Sequence, residues 1–376
     1  MPISARTITC HDVCNYGASL QACALADYLD EHGCDTRIID YLPDYTRYVV
    51  SYWRVPNPAW AKSFLRRMIY RIAKFPRNFL FARRRAAFDR FNRRYLPRTN
   101  HHWNNAEELR ASPPLADLYI CGSDQIWNPL FPNGHDGAFF LDFAVSGARK
   151  ISYAASFATE SIPNETKETV KKRIQQLDAV SVRESSAVRI LADIGIRAVR
   201  VVDPVFLRSR DFWKTIADES PFARWFPSQR YVLLYRFSGD EEVSQAARRL
   251  ADQRGIKLFS VNSDALADRS FERYGPETFL SLIQNAQSVW ATSFHAAAFS
   301  ILFHKEFFLA RRQEAINTRM TDLLDSLGLN DRLIDPKMPP EQQDINWSKV
   351  DRLLAEDRSR SERFLQENIT LAAQRP

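Results

Sequence analysis

Short apolar runs alternate with helix-length amphipathic stretches along almost the whole chain. Residues 5–10 predict a first strand. In the segment after it, HDVCNYGASLQACALADYLDEHG, Ala18, Ala22, Leu25 and Leu29 recur at helical spacing and Gly33 marks a stop. Residues 36–41, TRIIDY, predict the next strand, so the chain opens on a strand–loop–helix–strand unit. Further strands are expected at Leu118–Cys121, 150–155, 179–184 and 198–202, with helices over about 163–178 and after Glu184. The same rhythm restarts at YVLLYRF. From there EEVSQAARRLADQRG, PETFLSLIQNA, HAAAFSILFH and residues 317–328 read as helices, and IKLFSV, VWATS and KEFFLA as strands. Residues 347–366 predict a terminal helix that packs back across the molecule.

A chain of 376 residues is long for one hydrophobic core, and the restart divides it into two halves of similar size. The expected fold class is α/β, two Rossmann-like domains facing a central cleft. The N-terminal domain is expected over 1–203, with a basic helical insertion at 62–98. Residues 204–229 read as the connection, 230–345 as the C-terminal domain and 346–376 as the terminal helix. Asp203-Pro204 closes the first half, since proline has no donor for a strand ladder. Residues 43–61, rich in Pro, Tyr and Trp, are irregular and are a candidate cleft lining.

Charge changes this picture in one place. The net charge is +7 and the isoelectric point about 9.2, and the excess is local. Between residues 62 and 98 only Asp89 opposes a run of lysines and arginines, and phenylalanines interleave with them. Such a stretch suits an anionic membrane surface or a lipid-linked phosphate. It suits equally a solvated helical pair with its apolar face in the core. No helix-turn-helix, zinc-finger or GXXG signature points to nucleic acid. The N-terminus lacks the apolar core of a signal peptide, and no apolar run is long enough to span a bilayer. A cytoplasmic location, with peripheral contact at the inner face of the cell membrane, is the expectation. Five cysteines, four of them in the first 34 residues, do not form a disulfide scaffold pattern, and Cys10, His11 and Cys14 lack the paired spacing of a zinc site. No metal or cofactor is expected.

The candidate chemistry sits at strand-to-helix junctions. In WATSFHAAAFSILFH a strand end leads through Ser293-Phe294-His295 into an apolar helix, where free amides favour an anion and a histidine has a near-neutral pKa. His295 is therefore the leading catalytic candidate, against the alternative of a core histidine. Asn15, Tyr16 and Gly17 form either a ligand loop or a tight strand–helix turn, and no GxGxxG motif indicates a dinucleotide site. In Gly122-Ser123-Asp124-Gln125-Ile126-Trp127-Asn128, Asp124 either handles a sugar hydroxyl or caps a helix, and Trp127 either stacks on a sugar or fills core. Arg183 holds an anion in a bidentate fork or pairs with Glu184 or Asp203. Lys305 is a second possible anion contact.

The blocks NYGASLQACALADYL, GSDQIWNP, FFLDF, KISYAASF, VSVRE, DPVFL, GPETFLSLIQNAQSVWATSFHAAAFSILFHKEF and INTRMTDLLDSLGL occur in that order. Together they resemble the polysaccharide pyruvyl transferase family, from about residue 10 to about residue 335. The resemblance implies a fold like that of GT-B glycosyltransferases, phosphoenolpyruvate as donor and a glycan or lipid-linked oligosaccharide as acceptor. It implies a pyruvate ketal bridging two hydroxyls of one sugar, with phosphate released. Some members carry Arg-Leu-His where this chain has Ser293-Phe294-His295, so the histidine carries over and the arginine does not. The expected roles are catalytic for His295 and Asp124, donor binding for Arg183, Ser293, Lys305 and Arg319, and acceptor binding for Asp12, Asn15, Tyr16, Gly17, Ser123 and Trp127. The alternatives are a nucleotide-sugar glycosyltransferase on the same architecture and a non-catalytic glycan-binding protein.

Overall fold

The structure is a computed structural model that describes residues 2–47, 64–237, 239–310, 318–338 and 344–375. Its first lobe is a parallel sheet of β1 (Ile3–Ile8), β2 (Cys34–Tyr41), β3 (Arg98–Trp103), β4 (Leu118–Cys121) and β5 (Arg149–Ser152). They stand in the order β3-β2-β1-β4-β5, so the connections change direction between β1 and β4. At such a switch point an open parallel sheet leaves a crevice beyond the carboxyl ends of its strands. Around the sheet lie α1 (Tyr16–Glu31), α2 (Asp44–Arg47), α3 (Phe64–Tyr95), α4 (Ala106–Ala111), α5 (Asn164–Ile174) and α6 (Ser185–Asp193). Two short strands, β6 (Ser181–Val182) and β7 (Val199–Arg200), continue the sheet through single bridges from Ile151 to Ala179 and from Ala155 to Val182.

After α7 (Arg210–Ala217) the second lobe repeats the plan. It comprises β8 (Tyr231–Tyr235), α8 (Glu241–Gln253), β9 (Lys257–Ser260), β10 (Arg269–Ser270), α9 (Pro276–Asn285), β11 (Ser288–Ala291), α10 (Phe294–Leu302), β12 (Glu306–Leu309) and α11 (Thr318–Leu327). The order β10-β9-β8-β11-β12 puts a second switch point between β8 and β11. Every residue of YVLLY in β8 and of SVWA in β11 is buried, because helices cover both faces of a parallel sheet. Finally α12 (Trp347–Ala373) returns to the first lobe. There Ser361 Oγ accepts from Val202 N at 2.9 Å, Asn368 Oδ1 accepts from Arg149 Nε at 2.8 Å, and Asp357 pairs with Arg200 at 2.9 Å.

The two lobes share one apolar cluster that runs from α1 through Phe88 to α9 and α10. Tyr16 sits at its centre, stacked on Phe279 of the second lobe at 4.8 Å and tilted against Phe88 of α3 at 5.0 Å. Its hydroxyl donates to the carbonyl of Tyr274 at 3.2 Å.

The basic stretch departs from the expected helical region to residue 98. The helix α3 ends at Tyr95, and RTNHHW then forms the sheet-edge strand β3, paired to β2. The later turns of α3 bury Ala87, Phe88 and Phe91, while Met68 and Phe79 are exposed. Lys62 and most of the aromatic stretch 43–61 lie outside the described residues. Among the described residues no helix is long and apolar enough to cross a membrane.

Candidate active site

The loops at the two switch points meet around a cavity of 110 Å³. Asn15 and Asp124-Gln125 come to it from the first lobe, and Phe237, Thr292-Ser293-Phe294-His295 and Arg319-Met320 from the second. Two helix beginnings therefore point toward one small space, α1 at Asn15 and α10 at Ser293, and Arg319 of α11 joins them. Asn15 caps its own helix, its side-chain oxygen accepting from Ala18 N at 3.3 Å. Ser293 makes no capping bond, and the first amide to turn back along α10 is Ala297 N, to Ser293 O at 3.2 Å. Among the described residues the preceding amides and the serine hydroxyl have no hydrogen-bond partner, and the helix dipole favours an anion there.

His295 stands in the cavity wall, 7% exposed. Gly17 is what lets it fit. A Cβ on Gly17 would lie 2.0, 2.3 and 2.4 Å from Nδ1, Cε1 and Cγ, which places it over the ring face. The bare Cα of Gly17 thus packs flat against the imidazole. The Nε2 atom is buried without a hydrogen bond and lies 3.7 Å from Asp203 Oδ2. Burial lowers the imidazole pKa below its usual value, Asp203 and Asp124 work against that, and Arg183 and Arg319 reinforce it.

Asp124 holds a left-handed backbone conformation, with φ of 72°. One of its carboxylate oxygens accepts from Arg183 Nη2 at 3.2 Å and from Arg319 Nη1 at 3.0 Å. Burial opposes its ionisation, but Arg183, Arg319 and His295 outweigh it and draw the carboxyl down to about 2. A carboxylate so stabilised is a poor proton acceptor at neutral pH. Its expected part in activating a hydroxyl is corrected accordingly: Asp124 organises the two arginines. Arg319 is itself brought down to about 10, by burial first and then by Arg183, and stays charged at neutral pH.

Several expected contacts lie elsewhere. Lys305 precedes β12, at the amino end of the sheet, whereas the cavity lies beyond the carboxyl ends; it is withdrawn as a donor contact. Arg183 is outside the cavity wall, stacked behind Phe294 at 4.7 Å, with its fork taken by Asp203 and Asp124. Tyr16 is buried in the seam between the lobes, so it faces no acceptor. Trp127 fills core, stacked on Phe140 at 5.4 Å and donating to Phe139 O at 3.0 Å. Ser123 is fully buried and donates to Ala154 O at 3.1 Å. Asp12 is held in a two-oxygen pair by Arg85 of α3, at 2.7 and 2.8 Å. For these four the side chains are corrected from acceptor contacts to supports. His11 spends its ring on Thr9 O and Asp40, and among the described residues no three His, Cys, Asp or Glu side chains gather as metal ligands.

The residue that sequence reasoning passed over is Asp203, read there as a strand end or an ion-pair partner. It is 1% exposed, and it faces both His295 and Arg183. Gln125, Thr292, Phe237 and Met320 also line the cavity without having been singled out.

Comparison with solved structures supports the architecture. Arabidopsis thaliana UGT89C1 aligns over 99% of this chain and 100% of its own, at 10% identity and a TM-score of 0.51. The same protein complexed with UDP-L-rhamnose aligns over 98% and 99%, at 10% identity and 0.50. A protein described as a UDP-N-acetylglucosamine 2-epimerase from Listeria monocytogenes aligns over 100% of this chain and 91% of its own, at 10% identity and 0.53. At this identity the likeness is one of fold, two facing Rossmann-like lobes of the GT-B kind. No curated protein matches the sequence. The profile of polysaccharide pyruvyl transferases does match, over residues 15–312, a span that takes in every segment lining the cavity except Arg319-Met320. The chain belongs to the polysaccharide pyruvyl transferase family.

Proposed function

We propose that the chain transfers the pyruvyl group of phosphoenolpyruvate to two hydroxyls of one glycan sugar, closing a ketal and releasing phosphate. The observation that carries this reading is the open start of α10, where uncapped amides, Ser293, His295 and Arg319 share one small cavity. The cavity of 110 Å³ is on the scale of a compact anionic donor rather than of a whole nucleotide sugar.

The enol phosphate becomes electrophilic at C2 only when C3 gains a proton. His295 rests neutral because it is buried. A multiply charged donor beside it favours the imidazolium, which then protonates C3. The helix amides and Arg319 hold the donor's negative groups as positive charge develops at C2. The first sugar hydroxyl attacks C2 and its proton restores the imidazolium's lost one. The second hydroxyl attacks C2, the C2–O bond to phosphate breaks, and the last proton leaves on phosphate. A neighbouring pair of hydroxyls makes the second attack effectively intramolecular.

A nucleotide-sugar donor is the second reading, favoured by the fold likeness to the UDP-L-rhamnose complex. Such donors carry several times more heavy atoms than the cavity admits, so most of the molecule would lie in the open cleft. Calorimetry with phosphoenolpyruvate and with UDP-sugars separates the two. Incubation with phosphoenolpyruvate and surface glycans of the producing cell is expected to release phosphate and add a pyruvyl mass to the glycan. Binding of UDP-sugars alone, with no phosphate release from phosphoenolpyruvate, would overturn the proposal.

A further inference from the structure

Asp203 occupies an unusual position for a cap. One oxygen, Oδ1, accepts from Val205 N at 3.1 Å and starts the short turn that follows Pro204. The cap needs nothing more. The other oxygen, Oδ2, points the opposite way, into the site. It accepts from Arg183 Nη1, lies 3.5 Å from Ser123 Oγ, and faces His295 Nε2 at 3.7 Å. Donors on three separate segments thus hold the carboxylate still, with one oxygen presented to the ring. Nε2 is fully enclosed and bonded to nothing else.

We propose that Asp203 is the positioning residue for His295: its carboxylate keeps the imidazole proton on Nε2, directed at Oδ2, and so makes Nδ1 the nitrogen that exchanges protons with substrate. Gly17 covers the ring face at Nδ1, and Nε2 rather than Nδ1 is the ring nitrogen enclosed without a partner. The charged groups facing the ring are Asp203 and Asp124, which favour its protonated form, and Arg183 and Arg319, which oppose it. Asp124 is shared by both arginines, and Asp203 is shared by Arg183 and the ring. When a proton arrives, Asp203 is the nearer counter-charge, and closing 3.7 Å to a hydrogen bond needs only a small movement of the ring. Carboxylate–histidine pairs of this kind fix tautomer and orientation without the carboxylate itself reacting.

The kinetic part of this assignment rests on the pyruvyl-transfer reading; the structural part does not. The test is nitrogen NMR of histidine-labelled protein, with His295→Gln used to identify the resonance. The wild type is expected to show the Nε2–H tautomer. Asp203→Asn keeps an oxygen for Val205 N but removes the charge. It is expected to lower the imidazole pKa by about one unit or more. The alkaline limb of kcat against pH should move to lower pH by the same amount, with the KM for phosphoenolpyruvate unchanged. An Nδ1–H tautomer in the wild type, or an imidazole titration that Asp203→Asn leaves in place, overturns the assignment. If Asp203→Asn does not fold, the wild-type tautomer decides. If the tautomer and titration behave as expected while phosphoenolpyruvate gives no product, the donor reading fails and Asp203 keeps its role.

Discussion

Gly17 and His295 are a pair across the seam of the molecule, one from each lobe. Glycine is required here for space, since its backbone is ordinary for a helix start and the imidazole leaves no room for a Cβ. Gly17→Ala should cost about 1–3 kcal/mol of stability, the usual penalty for overpacking, offset in part because alanine favours the helix that begins there. It should also displace the ring and reduce kcat on the order of 100-fold, the usual penalty for misplacing a catalytic group by an ångström. Steady-state kinetics beside a thermal melt will separate the two effects; a fully active Gly17→Ala would mean that the ring has no fixed seat. The same residues show what a pattern of letters can and cannot say. Asn15, Ser293 and His295 were legible as positions at the cavity because a strand end followed by a helix start is a site in any sheet of this kind, whereas Gly17, expected as an acceptor contact, backs the imidazole instead. Tyr16, Ser123 and Trp127 were not, because neighbours in a loop point in opposite directions and only packing tells which way. Asp203 hid behind Pro204, which explains an aspartate well enough as a turn residue.

At the scale of elements, the strands and helices of the second lobe were plain in the apolar runs YVLLY and VWA and in the amphipathic stretches between them. The edge strand β3 was not: RTNHHW carries one buried residue, and its pairing is set by β2 rather than by its own composition. Lys305 was misplaced for a related reason, since sequence does not say which end of a strand faces the ligand. Of the two original readings of α3, the packed one holds for its later part. Its later turns are core, tied down by Phe88, by Arg84 to Cys14 O and Asn262, and by Arg85 to Asp12. Its early turns carry Arg66, Arg67 and Arg71 in sequence and the exposed Met68. We expect these turns to meet an anionic membrane surface. At about 1 kcal/mol for each basic residue, reversing those three arginines to glutamate should weaken binding to phosphatidylserine vesicles by at least the order of 100-fold that loss of their charge alone would bring. Turnover of a soluble acceptor should be kept. Equal vesicle binding by the reversed protein would rule the surface out.

For the molecule as a whole, acid is the revealing perturbation. The carboxyls of Asp124 and Asp40 are both drawn from 3.8 to about 2 against the pull of burial, Asp124 by its arginines and Asp40 by His11, Arg98 and His102. A depressed carboxyl stabilises the fold fully above its unfolded pKa and loses that contribution as pH falls through the folded one. Their share should therefore vanish between about pH 4 and pH 2. His295, lowered by burial, acts earlier: below its unfolded value of 6.5 the unfolded chain takes up a proton that the folded site resists. Melting temperatures should fall from about pH 6.5 downward, with His295→Gln flattening the first part of the decline and Asp124→Asn the last. A His295→Gln profile that overlays the wild type would show that the ring titrates as if exposed.

The shared apolar seam through Tyr16, Phe88 and Phe279 has an evolutionary consequence. Architectures of two facing lobes invite modular exchange, one half kept for the donor and the other replaced to suit a new acceptor. Here the halves are not independent cassettes: α1 of one is part of the interior of the other, and α12 stitches the last residues back onto the first sheet. New acceptor preferences are accordingly to be sought in the loops at the cleft rim, changed in place, and a hybrid joined in the connection would need both faces of the seam from the same parent.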